Sequence, residues 1–407
     1  MKCRHCKSNH NLKFLDLGNT APSNSYLNYE DLKKPEITYQ LRIIVCKKCW
    51  LVQTEDYTNA DELFNDNYAY FSSTSTSWLN HAANYCDTIT NRLNLTKESL
   101  VVELASNDGY LLKNFIKLGI PCIGIEPTKK TAAASCDLGI TVEEVFFTKN
   151  VGINLAAEGK KADLIIGNNV YAHVPDINDF TEGVVALLKP NGVVTFEFPH
   201  LMELIKKNQF DTIYHEHFSY LSLITVKSIF LKFGLKIFDV DQLDTHGGSL
   251  RVYGCLQSAK HIISNNVEKV LKAEIEAGLM TENTYKNFQI IANEIKDSFI
   301  QFLLNAKYDK KVVVGYGAAA KGNTLINYAG IKPDMINFVC DAANSKIGKY
   351  LPGSHIPILD PKVLEFKHID YLIIFPWNIA DEIIEQNQTL SKLGTKFVTM
   401  IPELKII

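Results

Sequence analysis

Val101-Val102-Glu103-Leu104-Ala105-Ser106-Asn107-Asp108-Gly109-Tyr110-Leu111-Leu112 reads as a buried strand, a tight turn and the opening of a helix. In an open α/β sheet a ligand sits at the carboxyl ends of the strands. Asn, Asp and Gly in such a turn let the backbone pass close to a small molecule. The next strand, Pro121–Ile125, ends at Glu126, where a carboxylate is placed to hold two ribose hydroxyls. A third strand, Leu164–Ile166, runs into Gly167-Asn168-Asn169, and Leu187-Leu188-Lys189-Pro190-Asn191-Gly192-Val193-Val194 is a helix end, a turn and a strand. With Val193–Phe198, these pieces make residues 76–258 an alternating strand and helix pattern, the signature of an α/β domain.

The flanks differ in texture. Residues 1–75 are rich in Cys, Tyr, Asn and Ser and form a separate domain in this reading. Residues from about 260 to 308 show helical periodicity without proline, and are expected to form two helices acting as a rigid connector. The middle domain with this connector spans 76–308. A second α/β pattern fills 309–407, with strands at Lys311–Val314, Ile336–Val339, Tyr371–Phe375 and Lys396–Met400. No short internal repeat or low-complexity segment interrupts the chain.

At 407 residues the chain is long enough for two or three cores. Apolar residues make up 46% and charged residues 21%, and the net charge of -3 gives no reason to expect a nucleic-acid or acidic-membrane partner. No apolar run is long enough to span a bilayer. Met1-Lys2 leads directly into Cys3, without the apolar stretch of a signal peptide, so a cytoplasmic protein is expected. Nine cysteines in a reducing compartment favour metal ligation or free thiols over disulfides.

Cys3-x-x-Cys6 and Cys46-x-x-Cys49 offer four thiolates, a complete tetrahedral shell for zinc. Four cysteines leave no open coordination position, so this metal is expected to be structural. Four free thiols, or a redox pair, are the alternative.

Asp211-Thr212-Ile213-Tyr214-His215-Glu216-His217-Phe218-Ser219-Tyr220 packs ionisable groups densely between apolar residues. On a strand, His215 and His217 would share a face and could ligate a metal, but no third ligand lies nearby in sequence. General acid/base chemistry fits better, with a near-neutral histidine oriented by a carboxylate or tyrosine. A hydrogen-bonded core cluster is the structural alternative.

In order along the chain, the cysteine pairs, the Ser106-Asn107-Asp108-Gly109 turn, Asn168-Asn169-Val170-Tyr171-Ala172-His173-Val174, Tyr214-His215-Glu216-His217 and Gly315-Tyr316-Gly317-Ala318-Ala319-Ala320-Lys321-Gly322-Asn323 resemble the sugar C-methyltransferases of deoxysugar pathways. The resemblance covers essentially the whole chain. It implies an N-terminal zinc-binding domain, a class I methyltransferase Rossmann-like middle domain and a C-terminal Rossmann-like domain. It implies S-adenosylmethionine in the middle domain, held by Glu103, Ala105, Asn107, Asp108, Gly109, Glu126, Asn168 and Asn169. Ala105 departs from the glycine common at its position. The implied reaction is methylation at C3 of a nucleoside-diphosphate-4-keto-6-deoxy sugar. His217 would be the base, with Tyr214, Glu216, His173 and Tyr68 in the same site.

Gly315-x-Gly317-x-x-Ala320, with Asp341 ending the next strand, also matches a dinucleotide fingerprint. By the resemblance this loop instead covers the sugar-nucleotide cleft, where Lys321 and Asn323 would meet the diphosphate. Glycines serving a strand-to-helix turn are the plainer reading. Arg251 could clamp phosphate with its guanidinium fork or make a salt bridge. O- or N-methylation of a related sugar nucleotide, and a non-enzymatic zinc- and NAD-binding sensor or assembly protein, stand as alternatives at this point. The sugar, its base, the stereochemistry at C3 and the oligomeric state are left open.

Overall fold

The computed structural model describes residues 1–55 and 71–407. β1 (Asn11–Thr20), β2 (Tyr39–Cys46) and β3 (Val52–Thr54) form an antiparallel meander. Leu41, Ile43, Ile44 and Val45 make β2 a strand because branched side chains pack well on a half-buried pleat. Cys46 pairs with Asn11 across this sheet, which carries the turn after β2 to the turn that precedes β1.

The middle sheet is built from β4 (Val101–Leu104), β5 (Cys122–Ile125), β6 (Thr141–Glu143), β7 (Ala162–Asn168) and β8 (Leu188–Pro199). β9 (Ser219–Tyr220) leaves it and pairs with β3, so the first sheet reaches into the middle of the chain. β10 (Leu235–Leu243) and β11 (Ser249–Leu256) then complete the order β10-β11-β8-β7-β4-β5-β6. β11 is antiparallel to both neighbours and the remaining strands run parallel. Every residue of β4 is buried, as expected for a strand covered on both faces. The strand order reverses between β4 and β7, and that switch point opens a crevice at their carboxyl ends. The expected Rossmann-like middle domain is present.

The C-terminal sheet contains β12 (Val313–Tyr316), β13 (Val339–Cys340), β14 (Ile358–Leu359), β15 (Tyr371–Ile374), β16 (Lys396–Thr399) and β17 (Lys405–Ile406). Their order, β14-β13-β12-β15-β16-β17, is again doubly wound, with the glycine-rich loop after β12 at the switch point.

The expected two-helix connector is three helices, Asn265–Glu276, Glu282–Lys286 and Phe288–Tyr308. Gly278, at φ +78°, turns the chain just after the first. Nor do they merely connect. Glu274 is fully buried and accepts from the amides of Leu223 and Ile224 and from His200, which locks the first helix to the middle domain. Phe288 stacks on Phe14 of β1, with ring centres 4.8 Å apart. One apolar core runs from β1 and β2 through the third helix to the C-terminal sheet.

Candidate active site and zinc centre

The turn after β4 takes three residues into the left-handed region: Ala105 (φ 56°), Asn107 (φ 50°) and Gly109 (φ 76°). Ala105 adopts the strained conformation that a glycine would take freely. The Asn107 amide donates to Glu126 Oε2 at 2.9 Å, while the Thr128 amide and Thr131 hydroxyl donate to Oε1. Glu126 is thereby fixed at the end of β5. The amides of Ser72 and Ser73 donate to the side chains of Asn107 and Asp108, closing the chain over the turn. Gly109 is also closely packed: a Cβ there would lie 2.6 Å from Ile140 Cδ1 and 2.8 Å from Ser135 Oγ.

Several buried acceptors at the ends of β4 and β7 lack a hydrogen-bond partner among the described residues. They are Glu103 Oε2, Asp108 Oδ1, Asn168 Oδ1 and Asn169 Oδ1. Buried polar atoms are seldom left unpaired. This set fits a ligand rich in donors, such as the ribose hydroxyls and α-ammonium of S-adenosylmethionine.

Beyond β8 the chain enters the histidine stretch, which is not a strand. His215 and Glu216 form a turn, so the two histidines part company. His215 Nε2 meets the Tyr39 carbonyl, and burial holds its pKa down at about 4. His217 Nδ1 donates to the Thr212 carbonyl at 3.0 Å, which leaves Nε2 as the basic nitrogen. His173, from the segment after β7, donates Nδ1–H to the Glu216 carbonyl at 2.8 Å. Its ring meets that of His217 at 4.6 Å, and Tyr214 lies 4.0 Å from His217 on a tilted face. Burial pushes both histidines down, His173 to about 4 and His217 well below its usual 6.5, so both are neutral at physiological pH. Glu216 is buried, its carboxyl pKa raised by desolvation, and accepts from Asn24 Nδ2 at 3.0 Å. Tyr68 lies outside the described residues.

The C-terminal domain contributes a second group. Lys321 Nζ sits 4.5 Å from the Trp377 ring centre and donates to Asn378 Oδ1. Trp377 Nε1 donates to Asp211 Oδ2 at 2.7 Å, and burial raises the Asp211 pKa to about 6. Asn323 is buried and donates Nδ2 towards the Ser23 carbonyl at 3.4 Å. Asp211 opens the ionisable stretch, but its partner Trp377 carries no motif and escapes a reading of the sequence. The glycines of this loop are filled by protein: a Cβ on Gly317 would meet Pro376 at 2.4 Å, and one on Gly322 would meet Phe375 at 2.7 Å. Asp341 is occupied by the Ala343 amide and Lys346. The turn-forming reading of these glycines thus has a physical cause, and the carboxylate that a dinucleotide ribose would use is already engaged.

Arg251 is not open to a phosphate. It faces Glu197 across the β11–β8 ladder, donates to its carboxylate, and its Nη2 lies 2.9 Å from His81 Nε2. Releasing Arg251 would strand a fully buried carboxylate.

The sequence matches three family descriptions end to end: "Putative zinc binding domain" over residues 3–64, "Methyltransferase domain" over 63–240 and "C-methyltransferase C-terminal domain" over 244–402. The C-methyltransferase NovU of Streptomyces niveus is 35% identical over 406 residues, covering 100% of this chain and 96% of that protein. The chain belongs to the C-methyltransferase family. It is an S-adenosylmethionine-dependent enzyme. Among solved structures, the magnesium protoporphyrin IX methyltransferase ChlM of Synechocystis PCC 6803 is 14% identical, over 43% of this chain and 82% of its own, with a TM-score of 0.35. The glycopeptide N-methyltransferase MtfA is 13% identical, over 43% of this chain and 96% of its own, at the same TM-score of 0.35. Likeness this slight does not bear on function.

The C-methyltransferase also carries the zinc centre. Cys3 Sγ lies 3.5 Å from Cys49 Sγ, and Cys6 Sγ lies 3.4 Å from Cys46 Sγ. All four sulfurs fall within 4.8 Å of one another. Tetrahedral Zn–S bonds of about 2.3 Å need sulfurs about 3.8 Å apart, so the set fits zinc. Among the described residues it is the one grouping of His, Cys, Asp or Glu able to hold a metal, and the histidine stretch is not part of it. No helix among the described residues is long and apolar enough to cross a membrane.

Proposed function

We propose that this C-methyltransferase methylates C3 of a nucleoside-diphosphate-4-keto-6-deoxy sugar. The observation that carries the reading is His217: a buried, neutral imidazole whose Nδ1–H is anchored on the Thr212 carbonyl, presenting a basic Nε2. Methylation of an amine needs little help from a base, whereas carbon must first lose a proton. A ketone at C4 makes that proton acidic enough for a neutral histidine.

In this mechanism Glu103, Ala105, Asn107, Asp108, Gly109, Glu126, Asn168 and Asn169 would hold S-adenosylmethionine, which would supply an electrophilic methyl group. His217 Nε2 takes the C3 proton. A histidine or tyrosine donor, such as Tyr214, stabilises the oxygen that gains charge at C4, and Tyr68 is assigned to the same site by the resemblance. His173 packs edge-on against His217, and after burial it is the next cause that holds the His217 pKa down, which keeps the base neutral. Glu216 bonds Asn24 and its backbone carbonyl orients His173. Lys321 and Asn323 are assigned to the diphosphate. Arg251 supports the wall of the crevice through Glu197. We divide the chain into 1–75, 76–308 and 309–407; the three sheets support this reading, with β9 of the middle region pairing into the first sheet.

The test is to incubate the enzyme with S-adenosylmethionine and a panel of nucleotide-linked 4-keto-6-deoxy sugars, then locate the new methyl group by NMR. The expected product carries it on C3. Without S-adenosylmethionine, solvent deuterium should exchange into C3. A methyl group on oxygen or nitrogen, or no turnover with any 4-keto sugar, would sink the reading.

A further inference from the structure

His246 belongs to no motif used above, yet its placement is unusual. It sits in the left-handed region at φ 54° and ψ 23°, in the short loop between β10 and β11. A left-handed non-glycine residue is strained and persists where its surroundings hold it. They hold it at both ends. Thr245 Oγ1 donates to Glu197 Oε1, the carboxylate already clamped by Arg251 and His81. The Gly247 carbonyl accepts from both Lys207 Nζ and Gln209 Nε2 at 2.9 Å. Gly247 itself is pressed against Trp377, so the C-terminal domain closes the loop from outside.

The ring is thus aimed at the cofactor crevice. It lies 5.2 Å from the Trp78 ring, and its Nε2 is 3.2 Å from Asn169 Nδ2. Asn169 is also left-handed, at φ 53°, and its amide nitrogen is fixed by the Glu197 carbonyl at 2.7 Å. With backbone and Nδ2 both held, one atom is left over: Asn169 Oδ1, buried and without a partner among the described residues. An asparagine side chain can present either oxygen or nitrogen at nearly the same place, and only its hydrogen-bond network decides which. A ligand facing Oδ1 must donate a hydrogen bond or carry positive charge, and S-adenosylmethionine does both at its amino-acid end.

We propose that His246 is a positioning residue: by accepting from Asn169 Nδ2 it turns the Asn169 carbonyl oxygen towards the cationic amino-acid end of the cofactor. The proposal needs only the S-adenosylmethionine-dependent activity and is independent of the sugar acceptor. It is tested by isothermal titration of the full chain with S-adenosylmethionine and S-adenosylhomocysteine. His246→Ala should weaken both ligands by about 10-fold, the scale of one hydrogen bond to a charged group. A carboxylate offers oxygen in either orientation and needs no such guide. Asn169→Asp in the His246→Ala background should therefore restore affinity to that of Asn169→Asp alone. A purely structural role for His246 would not produce that rescue. His246→Asn, which tolerates the left-handed backbone but falls short of Asn169, should lose as much as His246→Ala and serves if the alanine variant fails to fold. Wild-type affinity in a folded His246 variant, or a double variant weaker than Asn169→Asp alone by the full His246→Ala factor, would overturn the proposal.

Discussion

His217 and His173 each give Nδ1–H to a main-chain carbonyl, and each is buried, so at this scale the chemistry is set by tautomer and desolvation. Burial penalises the imidazolium, and the neutral base persists to lower pH than an exposed histidine would. With the proton-accepting form retained, kcat should stay level from neutral pH down through 6.5, with its acid limb below that value. A limb centred at 6.5 or above in the kcat profile would place the base elsewhere. His217→Asn should abolish turnover and leave S-adenosylhomocysteine affinity unchanged in a titration. Full activity in that variant would remove His217 as the base. The sequence exposes this cluster because four ionisable groups in succession are costly to bury. His215 and His217 do not share a strand face, because the chain makes a turn there. The sequence carries no sign of Trp377 or His246, nor of the partner of Asp211, because these contacts join segments far apart along the chain.

Among the elements, the zinc turn is tied closely to the candidate active site. Arg4, between the ligands Cys3 and Cys6, is buried and donates to the carbonyls of Phe218, Pro175 and Thr54. Thr54 Oγ1 in turn donates to the His217 carbonyl, and β3 pairs with β9 just beyond His217. The turn that carries Cys3 and Cys6 is thereby tied to the backbone of the proposed base. Arg4→Ala should retain zinc by metal analysis, yet cost about 3 kcal/mol in a denaturant titration, since two buried carbonyls and one part-buried carbonyl lose a charged donor. Its kcat should fall as well. Unchanged stability would show that these bonds are replaced by water. The cysteine spacing made the ligands legible, because four thiolates at this spacing suit one metal and little else. Arg4 was not legible, since nothing local distinguishes a buried arginine from a solvated one. The connector helices were underestimated for the same reason. Glu274 reads as part of a polar helix face, and only packing reveals it as the acceptor for the Leu223 and Ile224 amides.

Over the whole molecule, the C-terminal domain is joined to the middle domain through Trp377. Trp377 reaches across to Asp211 and packs on Gly247, while Lys321 lies over its ring. Trp377→Phe keeps the aromatic face but deletes the donor to Asp211. The KM for the sugar nucleotide should rise about 10-fold, with S-adenosylhomocysteine affinity unchanged, by the worth of one buried bond to a charged acceptor. Steady-state kinetics and titration separate the two, and equal losses in both would assign Trp377 to the fold as a whole. The sequence by itself determined the two doubly wound sheets, the thiolate shell and the turn at the cofactor crevice. Each rests on periodicity or on residues a few positions apart, where local geometry leaves little choice. Tertiary structure alone decided that Arg251 pairs with Glu197, that Asp211 holds Trp377, and that His246 meets Asn169. Those partners are set by strand register and by burial between distant segments, and neither can be read from spacing along the chain.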